Sequence, residues 1–329
     1  KTGAGAREYL VARGISKDSM ETFGVGYAPT GWRNLFNHLA KRGVPSELIV
    51  SAGLAKQTSK RDGYYDVFRS RVLFPIHSPN GAVLGFGGRI LEEKPGLDGT
   101  DSAPKYLNSP DTAIFSKSRT LYGLHQSREM IRSSRTALLV EGYFDVISLY
   151  QNGICNVVAS MGTALTADHV RVLRREGICE KIFLCFDPDA AGEGAARRGG
   201  TILLGDYQQA GLPENWQTGE EFTKLLGTAD GTRGMGRMGL QVVALPPGED
   251  ADSYVRVHGE KGFNDLLGNA ENLIDYLLDR VLSSCPLEAS IERRIQTLEE
   301  ASSFLSGQRE AIRREYIRRI SQRLKIDED

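Results

Sequence analysis

The sequence predicts an α/β protein in three parts: a mixed α+β N-terminal subdomain over 1–125, a mainly parallel sheet flanked by helices over 126–268, and a helical subdomain over 269–329. Three observations carry this. Four short, almost wholly apolar runs, TALLVE, ICNVVAS, KIFLCFD and LQVVALP, are each followed by a helical pattern, at 144–152, 165–176, 190–204 and 252–258. Strands buried on both faces with helices between them make a parallel sheet. Upstream, the period is that of a β-hairpin, and downstream it is purely helical.

The first stretch reads as short helices broken by Gly and Pro. Tyr9 and Leu10 lie on a helix that ends near Gly14, and Ser16 caps the next. Thr30 precedes an amphipathic segment with Leu35, Phe36 and Leu39 that stops at Gly43, and Pro45 and Ser46 open another helix with Leu48 and Ile49. From Tyr64 onward RVLFPIHS, the turn Pro79-Asn80-Gly81 and AVLGFGGRIL form the hairpin. Gly85, Gly87 and Gly88 are too many for a strand interior and predict close approach by another backbone or a ligand. EEKPGLDGTDSAPKYLNSP reads as a long surface loop, and 205–238 as an insertion. In the tail, Ile291, Ile295, Leu298 and Phe304, then Ile312, Tyr316, Ile317, Ile320 and Leu324, keep helical spacing around Gly307, which predicts a helical hairpin.

Composition excludes several classes. With 40% hydrophobic and 25% charged residues the 329-residue chain is neither disordered nor fibrous. No apolar run approaches the roughly 20 residues that cross a bilayer, and the N-terminus has no signal core, so a soluble, cytoplasmic monomer without membrane contact is expected, an organelle such as a plastid being the alternative. Cys155, Cys179, Cys185 and Cys285 lack CxxC spacing, which argues against a zinc site within the chain; Cys155 and Cys185, inside apolar runs, read as buried free thiols. The net charge of −1 hides an asymmetry: residues 1–135 hold 20 Lys/Arg against 12 Asp/Glu, and residues 136–329 hold 21 against 30. A basic front and an acidic back imply two electrostatic tasks.

In an open parallel sheet, ligands bind beyond the carboxyl ends of the strands. There the sequence is acidic: Glu141 after the first strand with Asp145 one turn on, Asp187 and Asp189 after the third, Asp250 and Asp252 after the fourth. Carboxylates gathered at one edge repel unless cations neutralise them, and oxygen donors without His or Cys select Mg²⁺ or Mn²⁺. Taken singly, each of these pieces reads as readily as a turn or a helix cap. Gly142 and Gly192 let backbone amides approach phosphate, and Gly162 and Thr163 could do so too, although Thr166 as a cap explains them equally.

EGYFDVISLYQNGICNVVASMGTAL, FDPDAAGEGAARRG and LPPGEDADSYVRVHG resemble the TOPRIM domain of bacterial DnaG-type primases. FGVGYAPTGW, FRSRVLFPIHSPNGAVLGFGGRIL and KYLNSPDTAIFSKSRTLYGL resemble the N-terminal catalytic subdomain of the same family, so the likeness covers about residues 5–265. It implies a DNA-dependent RNA polymerase core that makes short RNA primers, with single-stranded DNA template, ribonucleoside triphosphates and an RNA–DNA hybrid product as partners. By that likeness Glu141, Asp187 and Asp189 are catalytic, and these three with Asp145, Asp250 and Asp252 hold two or more metal ions. Arg69, Arg71, Arg89, Lys105, Tyr106, Asn108 and Lys117 bind nucleotide or template, while Arg197 and Arg198 read as surface charges. The zinc-ribbon and helicase-binding domains that flank such cores are expected to be absent here, and Ala251 stands where the family commonly has proline. A TOPRIM nuclease or topoisomerase, and a non-catalytic single-stranded-DNA-binding module, are the competing readings; no recognisable tyrosine nucleophile supports the first, and the full acidic set opposes the second.

Overall fold

The computed structural model describes residues 3–58, 63–91, 104–162, 165–177, 179–186, 239–286, 288–303, 305 and 310–326. The expected helix at 190–204, the insertion at 205–238, most of the loop before Pro104, and Gly192, Thr163, Phe304 and Gly307 lie outside the described residues, as do Asp187, Asp189, Arg197 and Arg198.

Two sheets form the body. The N-terminal sheet has strand order β1 (Gly26–Ala28), β4 (Arg71–His77), β5 (Val83–Ile90), β6 (Tyr106–Asn108), all antiparallel. A two-stranded ribbon, β2 (Ala55–Gln57) with β3 (Tyr64–Asp66), stands apart from it in hydrogen bonding. The second sheet has order β11 (Glu271–Asn272), β10 (Gly239–Val242), β9 (Lys181–Leu184), β7 (Thr136–Val140), β8 (Val157–Ala159). Its four expected strands are parallel, and short β11 adds an antiparallel edge.

Local chemistry explains the helices. α1 (Ala4–Ala12) stops before Gly14, whose φ of +78° suits glycine, and Ser16 caps α2 (Lys17–Thr22) by accepting from the Ser19 N–H at 3.1 Å. α3 (Asn34–Lys41) is not capped by Thr30. The carboxylate of Asp66, from β3, accepts from the Leu35 and Phe36 N–H groups at 2.8 and 2.9 Å. Sequence proximity favours a local cap; tertiary contact supplied a distant one. α4 (Ser46–Ser51) follows Pro45 as expected.

In β7 the side chains alternate between two cores. Ala137 and Leu139 face a core shared with α5 (Leu124–Ser134), α7 (Ala167–Gly177) and the last helices, Leu273–Ser283 and Glu310–Leu324. Leu138 and Val140 face one shared with Val72, Phe74, Leu10, α6 (Tyr143–Gln151) and the helix Ala251–Gly268. The parallel sheet is therefore covered on both faces, with N-terminal elements contributing to one cover and C-terminal helices to the other. Cys185 is buried and Cys155 half-buried, both as free thiols. Among the described residues no helix is long and apolar enough to cross a membrane.

The three glycines of β5 make room for side chains rather than for backbone or ligand. A Cβ on Gly87 would lie 2.1 Å from Tyr143 Cζ, one on Gly88 2.7 Å from the Phe68 ring, and one on Gly85 3.1 Å from Ser109.

Candidate active site

A cavity of about 300 Å³ opens at the carboxyl end of β7. The parallel-sheet side supplies Glu141, Asp145, Met161, Gly162, Asp250 and Asp252; the N-terminal sheet supplies Lys105, Tyr106 and Asn108; Arg13 enters from the end of α1. Residues that follow parallel strands share one edge of the sheet, which is why Glu141 and Asp250, more than 100 positions apart in sequence, meet here.

The carboxylates differ in what already holds them. Asp145, in the first turn of α6, accepts from the Gly142 N–H at 2.9 Å, so that amide serves the helix start and is not aimed at phosphate. Asp250 is the N-cap of the helix Ala251–Gly268 and accepts from the Ser253 N–H at 2.7 Å. Asp252 is 1% exposed, takes the Ser148 hydroxyl, and pairs with Arg256 at 3.1 Å and Arg13 at 4.0 Å. Burial pushes its carboxyl pKa up, with Ser148, Arg256 and Arg13 pulling the other way. Asp252 thus lines the cavity beside Asp250 and also anchors Arg13 and Arg256. The pattern of acids after strands cannot separate a ligand from an ion-pair partner. The donor set of Glu141, Asp145, Asp250 and Asp252 is hard oxygen without His or Cys, which suits a divalent oxygen-seeking ion. Among the described residues, however, no three such groups come together at ligand spacing.

On the opposite wall, Lys105 is exposed and Tyr106 is 40% exposed. Asn108 accepts from the Tyr143 hydroxyl at 2.6 Å and donates to the Met161 carbonyl at 2.9 Å. Arg69, Arg71, Arg89 and Lys117 are not part of this wall. Arg71 is held within the sheet: it is 4% exposed, and its guanidinium donates to the carbonyls of Gly88, Lys105 and Pro104 at 3.1, 3.2 and 2.7 Å. It fastens the 104–105 segment to the sheet. Arg89 lies between the Tyr9 and Tyr106 rings, 5.4 and 5.2 Å from their centroids, and donates to the Tyr9 hydroxyl. Arg69 sits 4.4 Å over the ring of Trp32, which is 51% exposed. The Lys117 backbone is held by Asp111 and His169.

Sequence reasoning missed Arg13, Tyr143 and Trp32. Arg13 stacks 4.5 Å over the Phe144 ring while pairing with Asp252, a position invisible to any local pattern. Tyr143 carried a hint, in that β5 has glycine opposite a bulky neighbour. Trp32, in the quoted GYAPTGW, carried the ordinary hint of an aromatic in a polar turn.

Comparison with known proteins adds the following. A family model for the N-terminal domain of the DNA primase catalytic core matches residues 1–128, one for the Toprim domain matches 135–209, and one for the DnaB-helicase binding domain of primase matches 274–329. A protein named DNA primase from Clostridium acetobutylicum is 36% identical over 98% of this chain and 47% of its own length, and one from Myxococcus xanthus is 38% identical over 90% and 42%. The chain thus spans less than half the length of these curated relatives. Among solved structures, the Escherichia coli primase catalytic core is 32% identical with a TM-score of 0.79, over 100% of this chain and 93% of that one. A DnaG primase catalytic domain bound to single-stranded DNA is 33% identical with a TM-score of 0.77, over 99% and 91%. The match at 274–329 overturns the expectation that helicase-binding sequence is absent. Helical periodicity fixed the amphipathic helices there but is silent on what their outer faces bind.

Proposed function

The chain belongs to the bacterial DnaG-type primases, within their catalytic core, and from that premise we propose that it joins ribonucleoside triphosphates into short RNA primers on a single-stranded DNA template. One observation carries the reading: strand-end carboxylates and a cation-bearing sheet edge face each other across one nucleotide-sized cavity.

The Toprim match implies a metal-dependent core. Glu141, Asp145, Asp250 and Asp252 are the described residues that would hold Mg²⁺ or Mn²⁺, with Asp187 and Asp189 as the further ligands expected from the sequence. When bound, the ions offset charge on the attacking hydroxyl and on the leaving pyrophosphate. Lys105 and Arg13 reach the same space from the other wall and suit triphosphate oxygens, Arg13 being held in place by Asp252 and Phe144. Tyr106 offers an aromatic face to a base, and the exposed Trp32 with Arg69 stacked on it is a second platform, suited to a template base beyond the cavity. Lys117 and Arg89 add positive charge outside the cavity. The helices within 274–329 are the segment through which a replicative helicase would be contacted.

The test is a primer-synthesis assay on single-stranded DNA with Glu141→Gln beside wild type. Incorporation falls at least about a hundredfold, the scale of losing one electrostatic contributor to the transition state, while single-stranded-DNA binding and the circular dichroism spectrum persist. Wild-type synthesis in the variant overturns the site. DNA cleavage without synthesis by the wild type would favour the nuclease reading, and binding without either would favour a non-catalytic module.

A further inference from the structure

Asn108 ends β6 at the cavity wall, and its amide has only one possible orientation. The Met161 carbonyl can only accept, so the amide nitrogen must face it, at 2.9 Å. That leaves the amide oxygen for the Tyr143 hydroxyl, at 2.6 Å.

Both partners are themselves fixed. The Tyr143 ring is stacked on Phe74, with centroids 4.8 Å apart and planes 9° from parallel, and meets Tyr122 edge-on at 4.7 Å. Beneath it lies Gly87, where a Cβ would approach the Tyr143 hydroxyl oxygen to 2.2 Å. Tyr143 is 3% exposed, and burial keeps its hydroxyl protonated far above the usual range, so it remains a donor. On the other side Met161 adopts a left-handed φ of +58°, unusual for a residue with a Cβ, followed by Gly162 at +80°. Two chain segments from the parallel sheet thus grip one side chain of the antiparallel sheet.

An asparagine amide has two N–H donors and two oxygen lone pairs. Tyr143 uses one lone pair and Met161 one N–H, which leaves one of each on a side chain that lines the cavity with Lys105 and Tyr106. A phosphate oxygen only accepts and would leave the lone pair unmatched. A hydroxyl both donates and accepts and matches both. We infer that Asn108 recognises a ribose hydroxyl of the nucleotide in this cavity, and that Tyr143 is the positioning residue that fixes the amide for that task. The inference rests on the reading above that the cavity takes a ribonucleoside triphosphate.

The experiment is single-nucleotide extension of a primed template with ATP, 2′-deoxyATP and 3′-deoxyATP, comparing wild type, Tyr143→Phe, Asn108→Ala and the double variant. Tyr143→Phe keeps the ring that fills the space over Gly87, so its melting temperature stays close to that of wild type. In Asn108→Ala the preference in kcat/KM for ATP over one of the two analogues falls about fivefold to tenfold, the worth of one hydrogen bond, and the analogue affected identifies the hydroxyl. Tyr143→Phe lowers the same ratio by a smaller factor, and the double variant is no worse than Asn108→Ala, because both act through one amide. Unchanged ratios for both analogues in Asn108→Ala, or effects of the two variants that multiply, overturn the inference. Should Asn108→Ala unfold, Asn108→Ser is read by the same ratios. A wild-type protein that extends the primer with none of the three nucleotides would defeat the primase reading itself, a different failure.

Discussion

The two sheets that meet at the cavity hold their charges in opposite ways. On the parallel sheet the acids sit at strand ends, and Glu141, Asp145 and Asp250 stay half-buried at the rim. On the antiparallel sheet two arginines run inward or are clamped: Arg71 is 4% exposed with three carbonyl partners, and Arg89 is pinned between two tyrosine rings. The difference is one of topology. Every residue that follows a strand of a parallel sheet reaches the same edge, so position in sequence nearly determines position in the site. A residue within an antiparallel strand can face either side, and its role depends on where its side chain leads.

The largest effect that could break this contrast is expected at Gly87. Gly87→Ala places a Cβ 2.1 Å from Tyr143 Cζ, in a ring packed too tightly to move. Stability should fall by about 3 kcal/mol, the upper end for overpacking, read as a lower urea midpoint at constant m-value. An unchanged midpoint would show that the two sheets are not locked together there.

Arg71 and Lys105 sharpen it, since the same sheet carries both and the same sequence reasoning treated them alike. Arg71→Met strands buried carbonyls and should cost about 2 kcal/mol, while leaving the salt dependence of single-stranded-DNA affinity as in wild type. Lys105→Ala, at an exposed position, should do the reverse: stability within about 0.5 kcal/mol of wild type, and a log–log salt slope shallower by about 0.7 if one phosphate contact to a single strand is lost. Equal stability losses in the two would erase the distinction.

The parallel strands, the hairpin and the tail helices were legible because their apolar periods are local and long enough to read. So was the pairing of Glu141 with Asp250, through strand-end topology. What was not legible depended on partners far away in the chain. Asp66 caps α3 across 30 residues, and Asp252 is partnered by Ser148, Arg256 and Arg13, so an acid that reads only as a ligand is also an anchor. Arg13 and Tyr143 escaped for the same reason: an arginine after a helix and a tyrosine on an apolar helix face look ordinary until Phe144 and Gly87 are seen beside them.

The smallest effect concerns the seam where the Lys117 turn of the N-terminal part meets α7. His169 is fully buried; its Nε2 faces the Lys117 carbonyl at 2.9 Å and its Nδ1 the Thr166 N–H at 3.3 Å. A carbonyl accepts and an N–H donates, so the ring is neutral with its proton on Nε2. Thr166 completes the clamp by donating to the Ser118 carbonyl at 2.6 Å. Burial lowers the His169 pKa below its ordinary 6.5, while the Lys117 carbonyl, Asp168 and the Thr120 carbonyl oppose that shift. The folded state therefore binds this proton less readily than the unfolded chain, so the stabilisation is complete above 6.5 and is lost as pH falls below it towards the folded value. The loss is bounded at about 1.4 kcal/mol per pH unit. Melting followed from about pH 7.5 to about pH 5.5 should decline more steeply in wild type than in His169→Gln, whose amide does not titrate, with every other group common to both. Parallel curves would mean that His169 takes up its proton equally in both states, and that the seam is held by Thr166 and packing alone.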